Sequence, residues 1–291
     1  MAVVYPRLYI QDLALGLYSG VSSSTDSDDI SSKCVVDGDP NSLWLPSSDP
    51  AIIIVTFESA LCIRGFAISN HNIPIGAMIS VHGLYSSSWH EFYEYTQTVT
   101  EDDFLIDFGT DQTAAEQVRV VILGAGAGLM IGEISILGDY GYNAAGQLVH
   151  GQGFGIIELG GANVGGVNRQ LSVRGDTGVA SVVATNGFTQ YQRLGSVTER
   201  FVLPLSLLRA SRDLEMWQLW NAYCPRRRGT FANPGFTKGI WFTSNDYDVS
   251  TPSARYCVGC PDDPLEYTIT HLGPRAEGHL TLQTLPREPV A

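Results

Sequence analysis

Short apolar runs bounded by turn-forming residues recur through the first half of the chain. The clearest covers residues 51–57, a β-branched run between Pro50 and Glu58. Runs of this length with turn residues between them are typical of strands in an antiparallel β-sandwich. We therefore predict an all-β first half. Its strands cover residues 51–57, 63–69, 78–84, 117–123 and 132–137.

The second half is also predicted to be rich in strands. A small, turn-rich segment at residues 139–146 follows the last strand of the first half and indicates a domain boundary. The sequence therefore predicts a β-sandwich domain over residues 1–140, a linker over 141–150 and a β-rich domain over 151–291. The strands of this second domain cover residues 153–159, 168–174, 179–185, 200–205, 239–243, 265–271 and 278–285.

One α-helix is predicted within the second domain. Ser211 is a suitable N-cap and Pro225 ends the helix, while two acidic residues occupy its first turn. Four large side chains share one face of this helix. That face either packs on a sheet as core or contacts a partner, because Trp and Tyr are frequent interface anchors. The four are Met216, Trp217, Trp220 and Tyr223.

The net charge of −13 is concentrated in the first half of the chain. Residues 1–150 contain 18 acidic and 4 basic side chains, a net of −14, and residues 151–291 contain 12 and 13, a net of +1. Nucleic-acid binding depends on Lys and Arg contacts to phosphate, so this distribution excludes nucleic acid as a partner. No apolar stretch has the roughly 20 residues of a membrane span. No signal-peptide pattern opens the sequence, so we expect synthesis in the cytosol and reduced cysteines.

A series of short motifs then indicates a family. The segment at residues 37–44 resembles the Asp-Gly-x-x-x-x-x-Trp turn of the discoidin family, the coagulation-factor C-type domains. Further blocks with similar motifs follow in the family's order, at residues 52–57, 63–70, 79–89, 118–122 and 131–138. The resemblance covers about residues 30 to 138. It implies a galactose-binding-like β-sandwich of the jelly-roll type.

The resemblance also implies roles for individual residues. Trp44 and Trp89 are expected to fill core volume, and Glu133 to accept hydrogen bonds from neighbouring groups. Asp37 and Arg119 are likewise expected to serve the fold. Members of the family bind glycans, lipids or protein surfaces through loops at one end of the sandwich.

Two polar segments are the candidate ligand-binding loops. Amides and imidazoles can hydrogen-bond to sugar hydroxyls, and an exposed indole can stack on a sugar ring. The alternative interpretation is that these are ordinary polar turns of a sandwich. The candidate residues are Asn70, His71 and Asn72 in the first segment, and Trp89 and His90 in the second.

Metal binding and catalysis have weaker signals. Asp37, Asp39 and Asn41 alternate oxygen-bearing side chains as a calcium loop does, but no bidentate Glu follows. The Cys257-x-x-Cys260 pair lacks a second such pair, so a turn with two thiols is the alternative to a metal site. G-x-S-x-G and H-E-x-x-H motifs are both absent. We predict no metal, no cofactor and no enzymatic activity, with Cys224 and His271 as the remaining ligands if a metal does bind.

The second half has a glycine-rich loop at residues 160–166, a strand at 200–205 and a terminal strand that ends at residues 286–289. In these features and in the pairing of domains, the chain is similar to tail-tip or baseplate proteins of tailed bacteriophages. This resemblance implies a structural protein that forms a ring in the virion tail, assembled in the host cytoplasm. Its partners would be copies of itself, other tail proteins and a host-surface glycan bound by the outward sandwich. Trp217, Trp220 and Trp241 are the candidate anchors of the assembly interface. The alternative is a cellular carbohydrate-binding module or an accessory domain of a carbohydrate-active enzyme.

Overall fold

A computed structural model gives the fold of the protein. Strands make up most of the described residues, joined by the short helix α1 (Leu13–Gly16) and a 3-10 helix (Ser32–Val36). None of the helices in these residues is long and apolar enough to cross a membrane. The residues that the structure describes are 7–10, 12–16, 18–23, 32–98, 103–142, 148–151, 155–158, 172–176, 179–183, 189–193, 198–208, 239–243, 248, 250, 252–259, 266–269 and 275–284.

Two antiparallel sheets form a β-sandwich in the first half of the chain, which confirms the predicted fold class. The five-stranded sheet has the order β2-β3-β8-β5-β6 and the three-stranded sheet the order β7-β4-β9. All five predicted strands are present as β3, β4, β5, β8 and β9. The bounds are β2 (Tyr18–Ser23), β3 (Ala51–Leu61), β4 (Gly65–His71), β5 (Met78–Tyr85), β6 (Ser88–Thr96), β7 (Asp103–Asp107), β8 (Ala115–Leu123) and β9 (Ile131–Leu137).

A larger sheet brings together the start of the chain and its second half. Its order is β12-β1-β17-β18-β20-β16-β13, and β19 pairs with β20. Two hairpins, β10 with β11 and β14 with β15, complete the described strands. The bounds are β1 (Arg7–Tyr9), β10 (Tyr140–Tyr142), β11 (Leu148–His150), β12 (Ile156–Glu158), β13 (Ser172–Asp176), β14 (Val179–Val183), β15 (Thr189–Arg193), β16 (Thr198–Leu208), β17 (Ile240–Thr243), β18 (Arg255–Gly259), β19 (Glu266–Ile269) and β20 (Arg275–Thr284).

The alternation along the strands explains where the sandwich core lies. In β3, Ile53, Val55 and Phe57 are buried, and the residues between them are half-exposed. Successive side chains of a strand point to opposite faces, so one face of the five-stranded sheet covers the core and the other faces outward. Trp44 is only 1% exposed, and its backbone pairs with that of Ile131. The expectation that Trp44 fills core volume is confirmed.

A third layer covers the other face of the three-stranded sheet. Tyr9, Trp241 and Tyr256 of the large sheet pack on that face in one buried cluster. The buried carboxylate of Asp107 joins the two layers, since it accepts hydrogen bonds from Arg7 Nη1 and Tyr9 Oη, each at 2.8 Å. Arg64 Nε of the sandwich donates to the same carboxylate at 2.8 Å.

The structure departs from the predicted division of the chain in two places. β1 lies within residues 1–140 but pairs with β12 and β17 of the second half. Part of the predicted linker over 141–150 forms the β10–β11 hairpin. The sandwich is therefore joined to the large sheet by buried contacts and by the backbone pairing of Phe104 with Ser253, rather than by a linker alone. The helix predicted between Ser211 and Pro225 lies outside the described residues.

Candidate functional site

The structure separates the predicted ligand-binding residues into two groups. Asn70 and His71 are at the end of β4, which lies beside Ile131 at the start of β9. Trp89 and His90 are at the start of β6, next to the turn after β5. Because β5 begins at the end of the sandwich where β4 finishes, the two groups lie at opposite ends.

The side chains of Asn70, His71 and Asn72 form hydrogen bonds with the backbone of neighbouring loops. Asn70 Nδ2 donates a hydrogen bond to the carbonyl of Pro40 at 2.6 Å. The buried ring of His71 accepts one at Nδ1 from the backbone of Ile73 at 3.1 Å. Asn72 donates to the carbonyl of Gly128 at 2.9 Å and accepts from the backbone of Met130 at 2.8 Å. These polar atoms serve the fold, as the alternative interpretation of the segment holds. The contact partners of the group are Pro40, Ile73, Gly128 and Met130.

The candidate calcium turn also uses its side chains locally. Asp37 accepts a hydrogen bond from the backbone of Asp39, whose own carboxylate accepts one from the backbone of Asn41. Burial raises the pKa of Asp37, and the hydrogen bond from the backbone of Asp39 opposes that rise. Glu133 accepts from the backbone of Gly38 at 3.0 Å, the role that the resemblance implied for it.

The remaining metal candidates give no site in the described part of the chain. Within it, no three His, Cys, Asp or Glu side chains are grouped so that they could hold a metal. Cys257 is buried in β18, whereas Cys224, Cys260 and His271 lie outside the described residues.

Trp241 is placed differently from its predicted role as an assembly anchor. Its side chain is 1% exposed and packs between the large sheet and the three-stranded sheet. The indole Nε1 donates to Ser135 Oγ at 2.8 Å. An indole buried on all sides within one chain presents no surface to a second one, so the prediction is corrected. Trp217 and Trp220 lie outside the described residues.

Trp89, in contrast, lies on the outward face of the five-stranded sheet, where it is half-exposed rather than part of the core. The strand register surrounds it with polar side chains. One row across the strands consists of Trp89 on β6, Leu84 on β5 and Gln117 on β8. The next row consists of Glu91 on β6, His82 on β5 and Arg119 on β8. We call these residues the outer cluster: Trp89, His82, Glu91, Gln117 and Arg119.

Arg119 and Trp89 form the centre of the outer cluster. The guanidinium carbon of Arg119 lies 4.5 Å from the centroid of the Trp89 ring. The structure shows no hydrogen-bond partner for the buried Nε of Arg119 and no ion pair for its guanidinium among the residues it describes. A guanidinium stacked on an aromatic ring keeps its N–H donors in its own plane, directed away from the ring. Because Nε is buried, the donors that can face a ligand are the terminal N–H groups of the guanidinium.

His82 lies between the charged members of the cluster. Its Nε2 is 2.9 Å from Ser80 Oγ. Burial, and then the positive charge of Arg119, lower the pKa of His82, against the opposing effect of Glu91 and Glu94. A lowered pKa favours the neutral imidazole, which can donate one hydrogen bond and accept another.

His90 lies on the other face of the same hairpin. Its ring stacks on that of Tyr85, with 3.9 Å between the centroids, and Tyr85 stacks in turn near Phe92 at 6.2 Å. The ring of Phe92 fills the space that a side chain on Gly83 would need. These rings pack on the face of the hairpin opposite to that of Trp89, so His90 and Trp89 do not share a surface.

Comparison with known proteins gives similarities to solved structures. No protein-family model matches the sequence. No curated protein matches it either. The crystal structure of SpGH29 is similar with 25% identity and a TM-score of 0.38, covering 45% of this chain and 28% of the other. This chain thus spans little more than a quarter of the length of that protein.

Smaller proteins are similar over most of their length. The family 32 CBM of NanJ from C. perfringens, in complex with galactose, shares 16% identity over 40% of this chain and 92% of its own, with a TM-score of 0.36. Chitosan-binding module 1 of a chitosanase/glucanase from Paenibacillus sp. shares 22% identity over 43% of this chain and 98% of its own, with a TM-score of 0.36. At these TM-scores the similarities carry no argument about what this chain binds, which has to come from its own geometry.

Within the outer cluster, the sequence predicts Trp89 as a ligand-binding residue, in a candidate segment that ends at Glu91. It predicts a fold role for Arg119 and no role for His82 or Gln117. One signal was present in the sequence, because Arg119 lies between Val118 and Val120 in an alternating strand and so must face away from the core. Its position over Trp89 depends on the register of β8, β5 and β6, which the sequence does not show.

Proposed function

We propose that the protein binds carbohydrate on the outward face of the five-stranded sheet, at Trp89 and Arg119. The observation that carries the proposal is the guanidinium held 4.5 Å from the indole centroid with no ion pair among the described residues. A surface arginine in a half-chain of net charge −14 has many possible carboxylate partners. Its free donors beside an aromatic ring fit a ligand that brings both acceptors and an apolar face.

A saccharide has that chemistry. The C–H face of a sugar ring packs on an aromatic side chain, while hydroxyls both donate and accept hydrogen bonds. Arg119 supplies donors only, and the ionised carboxylate of Glu91 supplies acceptors only. Gln117 supplies both. The outer cluster therefore offers a complete set of partners around one indole ring.

This proposal corresponds to a carbohydrate-binding module or an accessory domain of a carbohydrate-active enzyme. It involves binding without bond cleavage, since glycoside hydrolysis ordinarily uses a pair of carboxylates and the outer cluster holds one, Glu91. The similar structures include a complex with galactose and a chitosan-binding module, and these sugars are ligands of those proteins that do not select the sugar bound here. The larger sheet would then serve as the support on which the sandwich is mounted.

A place in a bacteriophage tail stays a prediction, together with the ring, the tail-protein partners and the virion location. Two of the three tryptophans proposed as its assembly anchors lie outside the described residues, and the third, Trp241, is buried within the chain. No other described feature favours that function over carbohydrate binding.

Affinity electrophoresis of the full chain through gels that contain galactan, chitosan, xylan, alginate or glucan tests the proposal. We expect retardation by at least one polysaccharide. Arg119→Gln is expected to weaken that binding about tenfold, which corresponds to roughly 1.4 kcal/mol, because it removes a charged donor. Arg255→Gln, which changes the charge equally in β18 of the large sheet, is the matched control and should bind as the unmodified chain does. Free migration in every gel, or unchanged binding by Arg119→Gln, would contradict the proposal.

A further inference from the structure

The outward face continues well beyond Trp89. Along β5 and β8 the outward side chains form two parallel rows, in which Ser80 is opposite Val121 and Met78 is opposite Leu123. Val121 and Met78 are half-exposed, and Leu123 is 43% exposed. Leu84 and Met78 are six residues apart on β5, so the face runs for about 20 Å along the strand.

A polar rim follows the same direction. On the edge strand β6, the exposed side chains of Glu91, Glu94 and Thr96 lie beside His82, Ser80 and Met78 of β5. We call the combination of this rim and the aliphatic floor the trough. The floor consists of Leu84, Val121, Met78 and Leu123.

The trough is open next to Trp89. The turn between β5 and β6 consists of Ser86 and Ser87, with φ angles of 51° and 62°. Two such residues make a tight hairpin of the type I′ kind, which is too short to fold over the sheet face. A ligand held at Trp89 is therefore not closed in by this hairpin, and can extend past it.

On the basis of the proposed function, we infer that the ligand is an extended saccharide chain that lies along β5 and β8. One sugar unit binds at Trp89 and Arg119, and the following units lie on the aliphatic floor beside the rim of β6. The chemistry of such a chain matches that of the trough. A saccharide chain presents C–H patches on its ring faces and hydroxyls along its edges, and the trough presents aliphatic groups beneath and acceptor oxygens along one side.

A site of this form recognises the interior of a chain rather than its terminal unit. Each further unit adds contacts with the floor and the rim, so affinity should grow with chain length until the trough is filled. A pocket for a single terminal sugar would instead give one affinity for all lengths.

The test is calorimetric titration of the full chain with oligosaccharides of one to six units, prepared from whichever polysaccharide retards it in the gel experiment. We expect affinity to rise about tenfold or more between two and five units and then to level off. Val121→Lys should remove that rise, because the lysine stem would cover the floor beyond Trp89. Leu123→Lys, at the more exposed position, is a second variant with the same expected direction.

Ser22→Lys is the matched control. Ser22 is exposed on β2, at the far edge of the same sheet, where it is opposite Ile54. This variant should keep the full dependence on chain length. Equal affinity for one and five units, or an unchanged rise in both the Val121→Lys and Leu123→Lys variants, overturns the extended site but leaves carbohydrate binding intact. Absence of binding to every polysaccharide in the gels overturns the proposed function itself.

Discussion

Replacing Trp89 with alanine is expected to lower the affinity for the retained polysaccharide about thirtyfold or more, a loss of roughly 2 kcal/mol. The substitution removes the ring on which a sugar would stack. It also removes the support of Arg119, whose guanidinium lies 4.5 Å from the indole centroid. Both partners of the site are lost in one change, which is why its effect should exceed that of Arg119→Gln. Calorimetry of the purified full chain measures the difference.

Two controls separate this effect from damage to the hairpin. Trp89→Phe keeps an aromatic ring and should retain most of the affinity. His90→Ala changes the next residue, whose ring stacks on Tyr85 on the opposite face, and should bind within about twofold of the unmodified chain. Binding that survives Trp89→Ala, or that falls equally in His90→Ala, would show that the outer cluster is not the site.

The second large effect concerns stability. Asp107→Ala is expected to lower the free energy of unfolding by about 3–5 kcal/mol, because it leaves buried or half-buried donors without their acceptor. The carboxylate of Asp107 is 3% exposed and pairs with Arg7 and Arg64, each at 2.8 Å. It also accepts a hydrogen bond from the hydroxyl of Tyr9 at 2.8 Å. Urea denaturation followed by tryptophan fluorescence measures the change, and loss of the buried contact between the sandwich and the large sheet should accompany it.

Asp111→Ala provides the comparison for that experiment. Asp111 pairs with His150 at 3.3 Å, and about a third of each side chain is exposed, at 32% and 35%. An exposed pair of this kind contributes little, so the expected loss is within about 0.5 kcal/mol. Equal destabilisation by the two substitutions would mean that Asp107 does not join the layers in the way described.

The strands with strict alternation were predictable from the sequence. β3 and β8 place buried and half-exposed residues in turn, and this is the pattern that a half-covered sheet imposes. β6 has no such pattern, because a register shift opposite Val81 and His82 interrupts its alternation. β7 is not among the predicted strands, and its first and last residues are the carboxylates Asp103 and Asp107.

Those carboxylates are buried, and they are hydrogen-bonded to partners that are distant in sequence. Asp103 accepts a hydrogen bond from the backbone of Tyr256, and Asp107 binds Arg7 and Tyr9. Local sequence cannot show contacts that span about 100 to 150 residues. The same limit explains β1, whose partners are strands of the second half.

For the site, the residue types were predictable but their surroundings were not. The polar groups of three residues have the right chemistry for a sugar, yet they form hydrogen bonds with the backbone of neighbouring loops: Asn70, His71 and Asn72. Trp241 shows the same limit for aromatic residues, since an indole in a strand suits a core and an interface equally well. Only the strand register places Arg119 beside Trp89.

The most direct test of the account is a nuclear magnetic resonance titration of the isotope-labelled full chain with the retained oligosaccharide. If the outer cluster is the site, the indole signal of Trp89 and the Nε–H signal of Arg119 should shift on binding, together with backbone amides of β5 and β8. The amides of loops 72–77 and 124–130, at the opposite end of the sandwich, should stay in place. Shifts confined to those two loops, with Trp89 and Arg119 unmoved, would contradict the account.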